Sequence, residues 1–194
     1  MAKTEETKTL EKIGMLFLKS NRCHIVASEV RVWCQRRLNE LDNHRVIDLL
    51  GVGLKWVPEN KRVPNEHGYK SPNIEVLRGI EIKVSENDFK NGFIQSGCNY
   101  HYLMVPKGLL SLDQIPKHAG VIEVDVDNFT WSKWGAKYRL RGLDTIRSPK
   151  FHTVSDFQYN YATREVAKLC SDQMIRWARE QLPEYVRQYG GQTE

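Results

Sequence analysis

The sequence predicts an α/β domain, and three observations carry that prediction. Val46 to Val52 is a short apolar run of strand length, and Val76 to Val84 ends in apolar and polar alternation, the period of a strand. Apolar residues recur at helical spacing near both ends of the chain, so helices are expected to flank the strands. The length, 194 residues, suits one ordinary domain with its own core.

Residues 1 to 8 mix acids and bases and read as a flexible tail, which leaves residues 9 to 194 as a single domain. Leu10, Ile13, Leu16 and Phe17 mark an amphipathic first helix ending near Ser20 and Asn21. Residues 23 to 38 stay undecided, because Ile25, Val26, Val30 and Val32 favour a strand while Ser28 and Glu29 suit a helix start. The Val46 to Val52 run holds one acid, Asp48, and Gly51 and Gly53 are expected to close it.

Residues 55 to 75 carry Pro58, Pro64, Pro72 and Gly68, and predict a long loop or a hairpin with an extended tip. In the strand that follows, Ile80, Ile82 and Val84 take one face and Glu81 and Lys83 the other. Ser85 suits a helix cap, with Glu86 and Asp88 in the first turn. Tyr100 to Pro106 and Val121 to Val126 predict two more strands, and residues 129 to 141 a strand or hairpin. A C-terminal helical segment begins at about 158, with Pro183 as its break.

Composition sets broad bounds. With 40% hydrophobic and 27% charged residues the chain is globular in type. A net charge of +5 permits polyanionic partners without requiring them. Cys23, Cys34, Cys98 and Cys170 form no CxxC pair, as expected of reduced thiols in the cytoplasm, and the apolar stretch Met15 to Leu18 is too short to span a membrane.

The chemistry lies in Asp48, Glu81 and Lys83. Phosphodiester hydrolysis needs charge neutralisation and an activated water, which a divalent cation held by a few carboxylates supplies. Side chains two apart on a strand point the same way, so a metal on Glu81 would have the Lys83 ammonium beside the attacking water. Asp48, on an apolar strand, calls for a cation or donor nearby. Short Glu-x-Lys matches are common by chance, and the same residues also read as a turn cap and an exposed ion pair.

The order weighs against that plain reading: an Asp on an apolar strand, a loop, an apolar strand with Glu-x-Lys, then a helix start. It resembles the PD-(D/E)XK nuclease superfamily, and Gly79 to Lys90, Asn99 to Pro106 and Gly120 to Ile122 resemble its MmcB-like DNA repair group, over roughly residues 28 to 125. The resemblance implies a restriction-endonuclease-like core with a central mixed sheet flanked by helices, and a Mg²⁺- or Mn²⁺-dependent deoxyribonuclease. It implies Asp48, Glu81 and the Ile82 carbonyl as metal ligands and Lys83 as base or charge stabiliser. Glu29 matches the family's upstream acidic element, or is a surface acid. Ser85 and Asp88 match the motif after the Lys, where helix capping is the simpler role. After Phe89 the pattern departs, and Gln95 is the polar residue left near the scissile phosphate.

Lys133, Lys137, Arg139, Arg141 and Arg147, interleaved with Trp131, Trp134 and Tyr138, suit gripping DNA phosphates, or form a solvated strand face over core aromatics. Cys23, His24, Cys34 and His44, and Cys98 with His101, lack zinc-site spacing and are expected to be core thiols and surface imidazoles. The alternatives to a nuclease are a catalytically silent nucleic-acid-binding or assembly protein on the same fold and a hydrolase acting on RNA or small molecules. A homodimer is compatible with the sequence but not demanded by it.

Overall fold

The computed structural model describes residues 3–34, 44–64, 66–93, 97–135 and 137–181. It begins with helix α1 (Glu5–Ser20), because the Thr4 hydroxyl accepts from the Thr7 amide at 3.2 Å and so caps the first turn. Residues 5 to 8 of the expected tail lie in this helix instead. Leu10, Ile13, Phe17 and Leu18 form its buried stripe, and Asn21 closes it.

The undecided stretch after α1 is strand β1 (Cys23–Trp33), paired antiparallel with β2 (His44–Trp56). β2 is longer than expected, because Gly51 and Gly53 lie inside it rather than at its end. The α1–β1 turn crosses over them: a Cβ on Gly53 would stand 2.4 Å from the Arg22 carbonyl oxygen, and one on Gly51 2.6 Å from Cys23 Sγ. Close approach, not strand termination, is what selects glycine there.

β2 turns back through a tip holding one 3₁₀ turn (Glu59–Lys61) into β3 (Asn73–Ile82), antiparallel to it. Helix α2 (Glu86–Lys90) then leads to β4 (Tyr100–Pro106), parallel to β3, and β5 (Gly120–Val124) lies parallel to β4. The hairpin of β6 (Thr130–Trp134) and β7 (Lys137–Arg141) stands apart as a two-stranded sheet. β8 (Leu143–Arg147), which sequence patterning did not single out, returns antiparallel to β5 as the outer strand.

The result is α/β, with a central mixed sheet of order β1-β2-β3-β4-β5-β8 flanked by helices. Under α1 the core holds Leu49, Ile80, Ile82, Met104 and Ile122. The opposite face, around Val30, Ile47, Leu50 and Leu77, is covered by Ala162 and Val166 of α3 (Asp156–Gln181). Pro183 lies outside the described residues. No helix among the described residues is long and apolar enough to cross a membrane.

Candidate functional site

The β2–β3 ladder runs in register from Trp56↔Asn73 to Leu49↔Ile80 and stops there. Asp48 is the next residue. Its Oδ2 accepts from the Ile82 amide at 2.7 Å, so a side chain replaces the main-chain partner where the two strands part. A strand residue points its N–H and C=O to the same side, which turns the Ile82 carbonyl toward that gap as well.

The neighbouring strand breaks its ladder at the same level. Ser28↔Leu49 and Val30↔Ile47 pair, while Glu29 between them adopts φ 54°, a left-handed conformation costly for a residue other than glycine. Glu29 is thereby placed opposite Asp48, with its side chain 62% exposed and bridged to Lys3 Nζ at 2.8 Å. The Lys3 ammonium also pairs with Glu11 of α1.

Glu81 is buried on the strand face opposite Ile80 and Ile82. Its Oε2 lies 4.0 Å from Lys83 Nζ, and its Oε1 is buried with no hydrogen-bond partner. Burial first, and the Asp48 carboxylate second, push the Glu81 carboxyl up to about 8. Asp48 is raised too, mainly by burial, against the lowering pull of the Ile82 amide and the Lys83 and Lys3 charges. Lys83 stands between Glu81 and Asp88, whose Oδ1 is 3.5 Å from its Nζ.

Asp48, Glu81, Ile82 and Lys83 are thus brought together, with Glu29 joined to them through Lys3. Ser85 caps α2, its hydroxyl accepting from the Asp88 amide at 3.1 Å, which indirectly fixes the Asp88 partner of Lys83. Gln95 lies outside the described residues. Sequence reasoning missed Glu11, whose side chain is 13% exposed and whose charge acts on Asp48. A signal existed: Glu11, Gly14 and Leu18 fall at i, i+3 and i+7, so this acid shares the helix face of two buried residues.

Two desolvated carboxylates, one with an orphaned oxygen, make a donor set that suits a small hard cation. As the side chains are placed, no three Asp, Glu, His or Cys among the described residues are grouped to hold a metal ion. Mg²⁺ is often held by only one or two carboxylates with water and substrate oxygens filling the rest, so Asp48 and Glu81 fit such an ion without a third side chain.

The basic residues form a separate feature. Lys137, Arg139 and Arg141 point outward from β7, while Tyr138 and Leu140 turn inward, Leu140 reaching the core under α1. The aromatics of β6 are not core residues, Trp131 being 55% and Trp134 77% exposed. Arg147 lies on β8 rather than on the hairpin. Its guanidinium donates to the Ala119, Ile115 and Pro116 carbonyls at 2.8, 3.3 and 2.7 Å, so it staples the β4–β5 connection.

No family model matches this sequence, and no curated protein matches it. Among solved structures, the SPO1766 protein of unknown function from Silicibacter pomeroyi is similar at TM-score 0.47 and 12% identity, over 82% of this chain and 84% of that one. At that score the likeness decides neither fold nor function.

The cysteine and histidine readings need one correction. Cys23, Cys34 and Cys98 are core thiols as expected, but His101 is buried rather than on the surface, with both ring nitrogens 3.3 Å from Cys98 Sγ. Full burial pushes the Cys98 thiol far up, which disfavours its thiolate.

Proposed function

We propose that the protein is a Mg²⁺- or Mn²⁺-dependent deoxyribonuclease of the PD-(D/E)XK type, acting in the cytoplasm in DNA repair or processing. The observation that carries the reading is the half-buried Asp48 carboxylate and the buried Glu81 carboxylate at the β2–β3 parting, the latter with an unpartnered oxygen, beside the Lys83 ammonium. Asp48, Glu81 and the Ile82 carbonyl would hold the ion, which supplies Lewis acidity and a water of lowered pKa.

The chain's own groups divide the remaining work. Asp48 holds its orientation through the Ile82 amide. Asp88 anchors the Lys83 ammonium, which can then orient the attacking water or stabilise negative charge on the phosphate. Lys133, Lys137, Arg139 and Arg141 are the candidate DNA contacts on the hairpin.

The alternative is a catalytically silent nucleic-acid-binding protein on the same fold. Incubating supercoiled, linear and single-stranded DNA with Mg²⁺ or Mn²⁺ separates the two. Cleavage lost in Asp48→Ala and Lys83→Ala supports the nuclease; binding without metal-dependent cleavage supports the silent protein.

A further inference from the structure

A groove of about 830 Å³ lies between the end of α1, the start of β1 and the β6–β7 hairpin. Lys19, Arg22 and His24 line one side and Lys133, Lys137 and Tyr138 the other, and no carboxylate among the described residues lines it. None of the four Lys and Arg side chains is ion-paired among the described residues; Lys19 donates to the His24 carbonyl, and Lys133 stands 5.7 Å from the Tyr138 ring centre. Unpaired like charges that line one groove repel each other, and an anion running between them relieves that repulsion.

We infer that this groove binds the backbone of a single-stranded polynucleotide. Flanking cations with an aromatic side chain in the wall are the arrangement that tracks a strand and stacks its bases, whereas a duplex keeps its bases paired inside and offers only its phosphates to such a wall. The exposed Trp134 ring beside Lys137 offers a second stacking surface at the hairpin tip. Lys19 lines the groove, and Glu11, whose charge acts on Asp48, lies eight residues back on the same helix, about 12 Å of helix rise. The inference rests on the nuclease reading for its purpose, and its measurement does not depend on cleavage.

The test is fluorescence anisotropy of a labelled oligothymidylate of about 20 nucleotides, and of a duplex of equal length, titrated with the full chain in EDTA over roughly 50 to 200 mM salt. Four contacts give a log–log salt slope near −2.8 for the single strand, and Lys133→Gln with Lys137→Gln should flatten it by about 1.4 and weaken binding about tenfold. Lys168→Gln with Arg176→Gln, exposed on α3, removes the same charge elsewhere and should leave the slope unchanged. Tyr138→Ser should weaken single-strand binding without changing the slope.

Equal slopes for the groove and α3 variants, or a duplex bound as tightly and with the same losses, would overturn the inference. Either result leaves cleavage at Asp48 to be judged on its own, and an uncleaving wild type leaves the slopes readable.

Discussion

Replacing Glu81 by Gln in the metal-free protein tests the electrostatics of the site directly. The carboxyl rises from 4.5 to about 8 because burial and Asp48 both oppose its charge. The folded state therefore holds this proton more tightly than the unfolded chain does. Its contribution to stability is fully present below about pH 4.5 and is lost as the pH climbs toward 8. Between pH 5 and 7 the unfolded carboxyl ionises almost completely and the folded one hardly at all, a loss of roughly 2–3 kcal/mol. Asp48, raised as well, loses stability in the same direction, so the pair reinforces the trend. Urea unfolding in EDTA at the two pH values should show wild type losing about 2 kcal/mol more than Glu81→Gln over that interval. Two proteins whose pH dependence agrees within about 0.5 kcal/mol would refute the claim that Glu81 is a desolvated acid facing a second one.

Mg²⁺ or Mn²⁺ should raise the melting temperature of wild type more at pH 8 than at pH 5, since protonated ligands must be stripped to bind, and Asp48→Asn should abolish the gain in differential scanning fluorimetry. Gly53→Ala forces a methyl onto the Arg22 carbonyl, 2.4 Å away, and should cost roughly 1–3 kcal/mol by chemical denaturation, with Ala at the open Gly68 turn as a milder comparison. Arg147→Ala removes the guanidinium's bonds to the Ala119, Ile115 and Pro116 carbonyls, of which Pro116 keeps the Ala119 amide, and should cost about 2 kcal/mol while leaving oligonucleotide affinity unchanged in anisotropy; a loss of affinity without a loss of stability would return Arg147 to the nucleic-acid surface.

The strands that carry Asp48 and Glu81, the second ending just before Lys83, are legible because an acid on an apolar run and a period of two are local signals. Side-chain direction follows from that period, but how far β2 and β3 stay paired does not, and the Asp48-to-Ile82 bond exists only because the ladder stops at Leu49. Glu29 was noticed for its neighbours, yet its left-handed backbone and its place opposite Asp48 come from pairing across β1 and β2. Glu11 was hidden because attention to an amphipathic helix falls on its apolar members. Gly51 and Gly53 looked like terminators because a glycine demanded by a crossing chain is locally indistinguishable from one that ends a strand. Arg147 and Trp134 went opposite ways from their residue types: the cation is consumed by main-chain carbonyls and the indole is left in water. Both outcomes depend on where the β5–β8 and β6–β7 pairings put them, which no short window of sequence encodes.

Helix α3 is held unevenly along its length. Ala162 and Val166 seat its first turns on β1, while residues 171–180 are exposed throughout, including Met174, Ile175 and Trp177. Helical hydrogen bonds without tertiary support open at little cost. Amide protons in the seated turns should therefore exchange with solvent only when the sheet itself comes apart, and those of the outer turns should exchange orders of magnitude faster, so that one continuous rod contains both the slowest and the fastest clocks of the fold.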